Sequence, residues 1–201
     1  HQIEAVYSRM LQSSTIRYLL ADDPGAGKTI MSGMLIKELK ARESVNRILV
    51  LVPPLVLRQW QEELDEKFQE SFKIINRAVL NEYGSLNPFV ENDFCLASIH
   101  WATRDDIKEL ILEAKFDLVI VDEAHKMAAY SYGKIKRNTT KTKLYQLGEK
   151  LLAKTEHVLL LTATPHKGDQ ENFRLLMKLL EPDLFSYVSS GETLRDKTNP
   201  F

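Results

Sequence analysis

Residues 22–29 read Asp-Asp-Pro-Gly-Ala-Gly-Lys-Thr and stand between an apolar run and a segment with apolar residues at helical spacing, the setting of a phosphate-binding loop. Gly25 and Gly27, with Ala26 between them, let backbone N–H groups converge on phosphate oxygens. Lys28 can neutralise the β and γ phosphates, and the Thr29 hydroxyl can ligate Mg²⁺. A Gly-x-Gly-Lys-[Ser/Thr] string arises by chance in roughly one chain in a hundred of this length, so an incidental turn at a helix start explains it poorly. The general pattern carries glycine where this chain has Asp22. The loop is a variant of that pattern.

Two further groups of polar residues end apolar runs. Residues 118–125 read Leu-Val-Ile-Val-Asp-Glu-Ala-His, placing two carboxylates at the carboxyl end of a strand, where open α/β sheets bind their ligands. Asp122 can hold a metal ion while Glu123 orients or deprotonates an attacking water. Residues 159–165 read Leu-Leu-Leu-Thr-Ala-Thr-Pro, and their two hydroxyls, Thr162 and Thr164, can hydrogen-bond the 122–125 segment.

The elements that must position these residues alternate. Short β-branched-rich runs at 18–21, 47–52, 94–99, 118–121 and 158–161 are each followed by a segment of helical periodicity, which predicts an α/β fold, a three-layer α/β/α domain around a mostly parallel central sheet. Met31, Met34, Leu35 and Leu39 share one helix face. Leu57, Trp60, Leu64 and Phe68 share another, with Glu62, Glu63, Asp65, Glu66 and Lys67 opposite. Further helices are predicted on Ile107, Leu110, Ile111 and Ala114, on Leu144, Leu147 and Leu151, and over 173–180.

With 201 residues, 44% apolar and 27% charged, the chain has the size and composition of one globular domain spanning 1–201. Its 27 Lys and Arg against 28 Asp and Glu give a formal charge of −1, so any polyanion site must be local. The single cysteine, Cys95, fits a reducing compartment and reads as a small buried strand residue. The longest apolar stretch, 48–57, is interrupted by Pro53 and Pro54 and falls far short of a membrane span. His100 and His157 have no second ligand at metal spacing and read as structural or exposed. The stretch 133–143 carries Lys134, Lys136, Arg137, Lys141 and Lys143 without an acidic residue. It is either a solvated loop or one that tracks phosphates.

Taken together, these residues resemble the superfamily 2 helicases and translocases, and within them the Swi/Snf-like branch. His1-Gln2 is similar to the start of the adenine-reading Gln motif, and 22–29 resembles motif I, whose first position in this branch is often Asp. Leu51-Val52-Pro53-Pro54 with Gln59-Trp60 and Glu63-Leu64 is similar to motif Ia, and 97–100 resembles motif Ib more weakly. Asp122-Glu123-Ala124-His125 is the DEAH form of motif II, 160–165 resembles motif III, and 166–185 resembles the branch-specific continuation.

The resemblance implies the first of two RecA-like domains that close around ATP and Mg²⁺, the second delivering arginines to the γ phosphate. It implies that Gln2 reads adenine, that Gly25, Ala26, Gly27, Lys28, Thr29 and Ile30 hold nucleotide, and that Thr29 and Asp122 serve the metal. It further implies that Lys28, Asp122 and Glu123 carry the catalysis and that His125, Thr162 and Thr164 couple nucleotide state to domain closure. The partners implied are double-stranded DNA and the second RecA-like domain, with no membrane, in a prokaryotic cytosol or nucleoid. A chain that starts at His1 without Met or a signal peptide reads as a fragment of such a motor. Other readings stay open: a strand-separating DNA or RNA helicase, or a nucleotide-gated interaction module without turnover.

Overall fold

The computed structural model describes residues 14–21, 27–127, 129–131, 139–163 and 170–181. Six strands form one parallel sheet: β1 (Arg17–Ala21), β2 (Ile48–Val52), β3 (Lys73–Ile74), β4 (Phe94–Ser98), β5 (Leu118–Val121) and β8 (His157–Thr162). Their spatial order is β1-β8-β5-β2-β4-β3. Between β5 and β8, the strands β6 (Ala129–Ser131) and β7 (Thr139–Lys141) pair antiparallel as a separate hairpin. The expected α/β/α architecture is therefore present, with a central sheet that is parallel at every described pairing.

Every residue of β2, β5 and β8 is buried, because a central parallel sheet is covered on both faces. The period of two along each strand then sorts the core into two halves. Ile48, Val50, Val52, Leu96, Leu118, Ile120, Leu159 and Leu161 face one side. There they meet Met31, Leu35, Ile36 and Leu39 of α1 (Lys28–Ala41) and Trp60 and Leu64 of α2 (Leu57–Phe68). Leu49, Leu51, Cys95, Ala97, Val119, Val121, Val158 and Leu160 face the other.

That second face is covered by the longer helices of the chain's other half. These are α6 (Asp105–Ala114), α7 (Lys143–Leu152) and α8 (Gln170–Leu180), which supply Ile107, Ile111, Leu147, Leu151, Leu176 and Leu179. Before them lie three short helices, α3 (Arg77–Tyr83), α4 (Pro88–Glu91) and α5 (Ile99–Ala102).

Two ties hold the site-bearing elements. Glu70, just past α2 and only 3% exposed, pairs with Lys37 at 3.0 Å and with Lys40, both on α1. Its desolvated charge is thereby compensated twice. Arg17 on β1 donates to the Thr155 carbonyl at 2.6 Å, to Leu152 at the end of α7 and to Leu179 and Leu180 at the end of α8. It satisfies carbonyls that a helix end leaves without intrahelical partners.

Three details differ from the sequence reading. Ile99 opens α5 and is not a strand residue, because the Ser98 side chain accepts the Trp101 N–H and caps the turn. Arg47 precedes β2, its N–H held by Asp117 Oδ2 at 2.9 Å. Part of the basic 133–143 stretch, read as a loop, forms β7. Cys95 is a fully buried strand residue, as expected, with its thiol 3.2 Å from the Asn92 carbonyl.

Candidate active site

The parallel registers bring three strand ends to one edge. Ala21 at the end of β1 lies opposite Thr162 at the end of β8, and Val121 at the end of β5 lies opposite Leu160. The residues that follow β5 therefore sit beside Thr162. Helix α1 starts at the same edge from Gly27, whose φ of 80° puts it in the left-handed region that glycine tolerates. Its ladder begins with Met31 N–H to Gly27 C=O at 3.0 Å. Lys28, buried Thr29 and half-buried Ile30 make the first turn, whose N–H groups precede the first intrahelical bond and point outward as an anion-binding end.

The Lys28 ammonium stands 3.9 Å from Asp122 Oδ1 and 4.0 Å from Glu123 Oε1. Asp122 is anchored through its backbone, which donates to Leu51 C=O at 2.8 Å, and its Oδ1 accepts the Glu123 N–H at 2.8 Å. Burial pushes the Asp122 carboxyl above its ordinary range, and the nearby Glu123 charge acts in the same direction. The Glu123 N–H, the Lys28 ammonium and the nearby Trp60 indole oppose them.

Glu123 has φ 52°, a conformation that costs a non-glycine residue energy and clusters at functional sites. Its Oε2 lies 3.1 Å from His125 Nδ1, which is also 3.2 Å from Thr162 Oγ1. His125 thus spans the loop after β5 and the end of β8. Among the predicted site residues, the structure brings together Gly27, Lys28, Thr29, Asp122, Glu123, His125 and Thr162. Gln2, Gly25, Ala26 and Thr164 lie outside the described residues.

Trp60, which the resemblance places in motif Ia, has a second role that pattern reading missed, since its indole helps to lower the Asp122 pKa. Helical spacing put it on the buried face of α2, where it is 3% exposed. Periodicity identifies a face and not the partner of one ring nitrogen. The signal available was a tryptophan, whose buried N–H needs an acceptor, one turn into the helix that follows a central strand.

Farther along the same edge, the 3₁₀ turn Pro54–Val56 leads from β2 into α2. It presents Leu55 at 97% exposure beside a groove of about 620 Å³, also lined by Arg58, Gln61, Lys73 and Asn76. His100 is exposed near the end of β4, and His157 is fully buried. Lys141, from the basic stretch, is held by both oxygens of Glu149 at 2.7 and 2.8 Å.

The family model described as the SNF2-related domain matches residues 1–197. The RNA polymerase-associated protein RapA of Haemophilus influenzae is 36% identical over 172 residues, covering 84% of this chain and 18% of the relative. The uncharacterized ATP-dependent helicase YqhH of Bacillus subtilis is 35% identical over 182 residues, covering 90% of this chain and 29% of that protein. Among solved structures, the Sulfolobus solfataricus SWI2/SNF2 ATPase core in complex with dsDNA aligns with a TM-score of 0.69 at 24% identity. That alignment covers 92% of this chain and 36% of the solved one. The chain spans under a third of the length of these curated relatives.

Proposed function

The chain belongs to the SNF2-related domain family, and from that premise we propose that it is the nucleotide-binding RecA-like half of an ATP-hydrolysing motor that moves along or remodels double-stranded DNA. The observation that carries the proposal is the meeting of Lys28, at the start of a 14-residue helix, with Asp122 and Glu123 at a neighbouring strand end. A helix N-terminus with a lysine on one side and two carboxylates on the other suits a phosphate chain with a metal ion beside it.

Gly25 to Ile30 would hold the phosphates, and Gln2 would read the adenine. The oxygens of Asp122 and Thr29 are hard donors of the kind Mg²⁺ takes, and Mg²⁺ usually adds phosphates and waters to one or two protein oxygens. Among the described residues no group of three or more His, Cys, Asp or Glu could cage a metal, and such a shared shell needs none. Bound there, Mg²⁺ would neutralise charge on the phosphates. Glu123, oriented by His125, would orient water and accept its proton. His125 with Thr162, and Thr164 beyond it, would carry the state of the site toward the second domain.

Two facts about relatives support the DNA part: the Sulfolobus core was solved with dsDNA, and the curated relatives include an ATP-dependent helicase. The exposed turn at Pro54–Val56 and Arg58 share the sheet edge of the site and would meet the phosphate backbone. A DNA-acting motor of this kind belongs in the cytosol or nucleoid, in keeping with its single, buried thiol.

Calorimetric titration with Mg²⁺-ADP tests the nucleotide assignment. Wild type should bind and Lys28→Ala should bind more weakly. Equal affinities would overturn it.

A further inference from the structure

We propose that the groove at the open edge of the sheet, between α2 and β3, takes an extended acidic segment of a partner protein, which adds to β3 as a further strand. The proposal goes beyond the nucleotide site and uses none of its residues.

β3 ends the strand order, and among the described residues no strand lies beyond it. Its inner side is paired: Lys73 and Ile74 are in register with Cys95 and Leu96 of β4, and Ile75 N–H donates to Leu96 C=O at 2.8 Å. Successive residues of a parallel-paired strand turn their backbone groups to opposite sides. The N–H and C=O of Ile74 therefore point outward, as does the Phe72 C=O. Gln61 of α2 already serves that outer side, its side-chain N–H donating to Phe72 C=O at 2.7 Å. The Ile74 pair offers a donor and an acceptor to an incoming backbone, which is how an extended peptide joins a sheet edge.

The side chains around this edge set what the segment must carry. Leu55, 97% exposed, together with half-buried Leu57, Ile74 and Val79, gives the groove apolar walls. Its charged lining residues are Arg58 and Lys73, both exposed, and among the described residues no acid lines it. Ile74 packs with the half of the core under α2, while its neighbours Lys73 and Ile75 point to the opposite face. The two cations thus flank the edge from opposite faces. An added strand must present an acid on each face, which takes two adjacent acidic residues, with apolar residues beside them to cover Leu55 and Val79. A lysine on a short edge strand discourages unselected pairing, and an acidic entrant turns that device into selection. Duplex DNA can reach Arg58 at the lip of the groove, but it has no strand to add to Ile74 and only a polar backbone to set against the apolar walls.

The probe is a fluorescein-labelled peptide of repeated Asp-Asp-Ile-Ile, titrated with the full chain in the absence of nucleotide and DNA and read by fluorescence anisotropy. Wild type should bind it, and Lys73→Glu should weaken binding by about tenfold or more. A peptide of the same sequence with its central backbone nitrogens methylated keeps its charges, loses its pairing donors and should bind more weakly. A Lys-Lys-Ile-Ile peptide should not bind. Hydrogen exchange followed by nuclear magnetic resonance should show the Ile74 N–H slowed by the acidic peptide.

Failure of the acidic peptide to bind would overturn the proposal, as would a methylated peptide that binds equally well or an Ile74 N–H whose exchange does not change. Arg58 also belongs to the edge assigned above to DNA, so Lys73 is the residue that tells the two occupants apart. Should a labelled duplex, and not the peptide, respond to Lys73→Glu, the groove belongs to DNA and the proposal falls, with the nucleotide site untouched.

Discussion

The imidazole Nδ1 of His157 accepts the backbone N–H of Ile16 at 3.1 Å, so the first residue of β8 fixes the chain immediately before β1. An accepting Nδ1 requires a neutral ring with its proton on Nε2. Protonation would place a second N–H against that of Ile16 inside a fully buried site.

Acid should therefore weaken the fold through this residue. Burial holds the His157 pKa below its ordinary value, helped by Arg17 and opposed by Glu156 and Asp117. The unfolded chain takes up its proton near pH 6.5 while the folded chain still resists, so the unfolded state binds more protons and stability falls as pH drops below that value. The contribution is at most about 1.4 kcal/mol per pH unit. Thermal melts between pH 7.5 and 5.5 should show a declining Tm, with a shallower decline in His157→Gln. Parallel curves would remove His157 from the account.

Two glycines should respond differently to alanine. A Cβ on Gly33 of α1 would lie 2.3 Å from the ring of Phe68 on α2, whereas one on Gly148 of α7 would meet the terminal methyl of Met127 at 2.4 Å. The ring of half-buried Phe68 must move as a rigid body, so Gly33→Ala should cost about 1–3 kcal/mol of overpacking, more than the helix-propensity gain of about 1 kcal/mol. A Met chain end swings away easily, and Gly148→Ala should be close to neutral. Urea unfolding of the two variants against wild type gives the comparison, and similar midpoints for both would refute it.

How much of this could be read from residue order depended on the signal. The central strands and their polar ends were legible because burial on both faces writes continuous apolar runs, because Asp122 and Thr162 directly follow such runs, and because a glycine loop leads from another to Lys28. The edge strand β3 is two residues long and carries no period. The β6–β7 hairpin sits in polar sequence whose pairing is not written as hydrophobic alternation. Ile99 looked like a strand residue because apolarity does not reveal that Ser98 caps the next turn. His157 read as structural or exposed, and only three dimensions show that it is an acceptor for Ile16. Trp60 read as packing, since one ring both fills the core and reaches Asp122.

Under the proposed DNA-binding role, the groove beside Leu55 and Lys141 of β7 should make different contributions. Arg58 is exposed at the sheet edge, while Lys141 is already held by both oxygens of Glu149. Removing one cation that neutralises a phosphate should reduce the slope of log affinity against log salt by about 1. Arg58→Gln should lower the slope and weaken binding uniformly across sequences, and Lys141→Gln should leave it unchanged. Fluorescence anisotropy with a labelled duplex at several salt concentrations measures both. A slope change with Lys141→Gln alone would return the basic stretch to phosphate tracking and take that role from the β2–α2 turn.

Turnover by residues 1–201 alone should be slow and barely stimulated by DNA, although Asp122 and Glu123 are in place. Phosphoryl transfer depends on neutralising charge spread over the γ-phosphate oxygens, and among the described residues the cation within 4.0 Å of both acids is Lys28. The family resemblance implies that arginines from a second RecA-like domain complete the cage. Such an arginine is worth about 10³ to 10⁵ in rate, roughly 4–7 kcal/mol of barrier. Steady-state phosphate release should be compared between residues 1–201 and a longer protein carrying that second domain, each with and without DNA. Glu123→Gln gives the background in both. A large, Glu123-dependent and DNA-stimulated rate should appear in the longer protein. Equal Glu123-dependent rates in the two would mean that residues 1–201 hold a complete catalytic site, and the reading of this chain as one half of a motor would have to be given up.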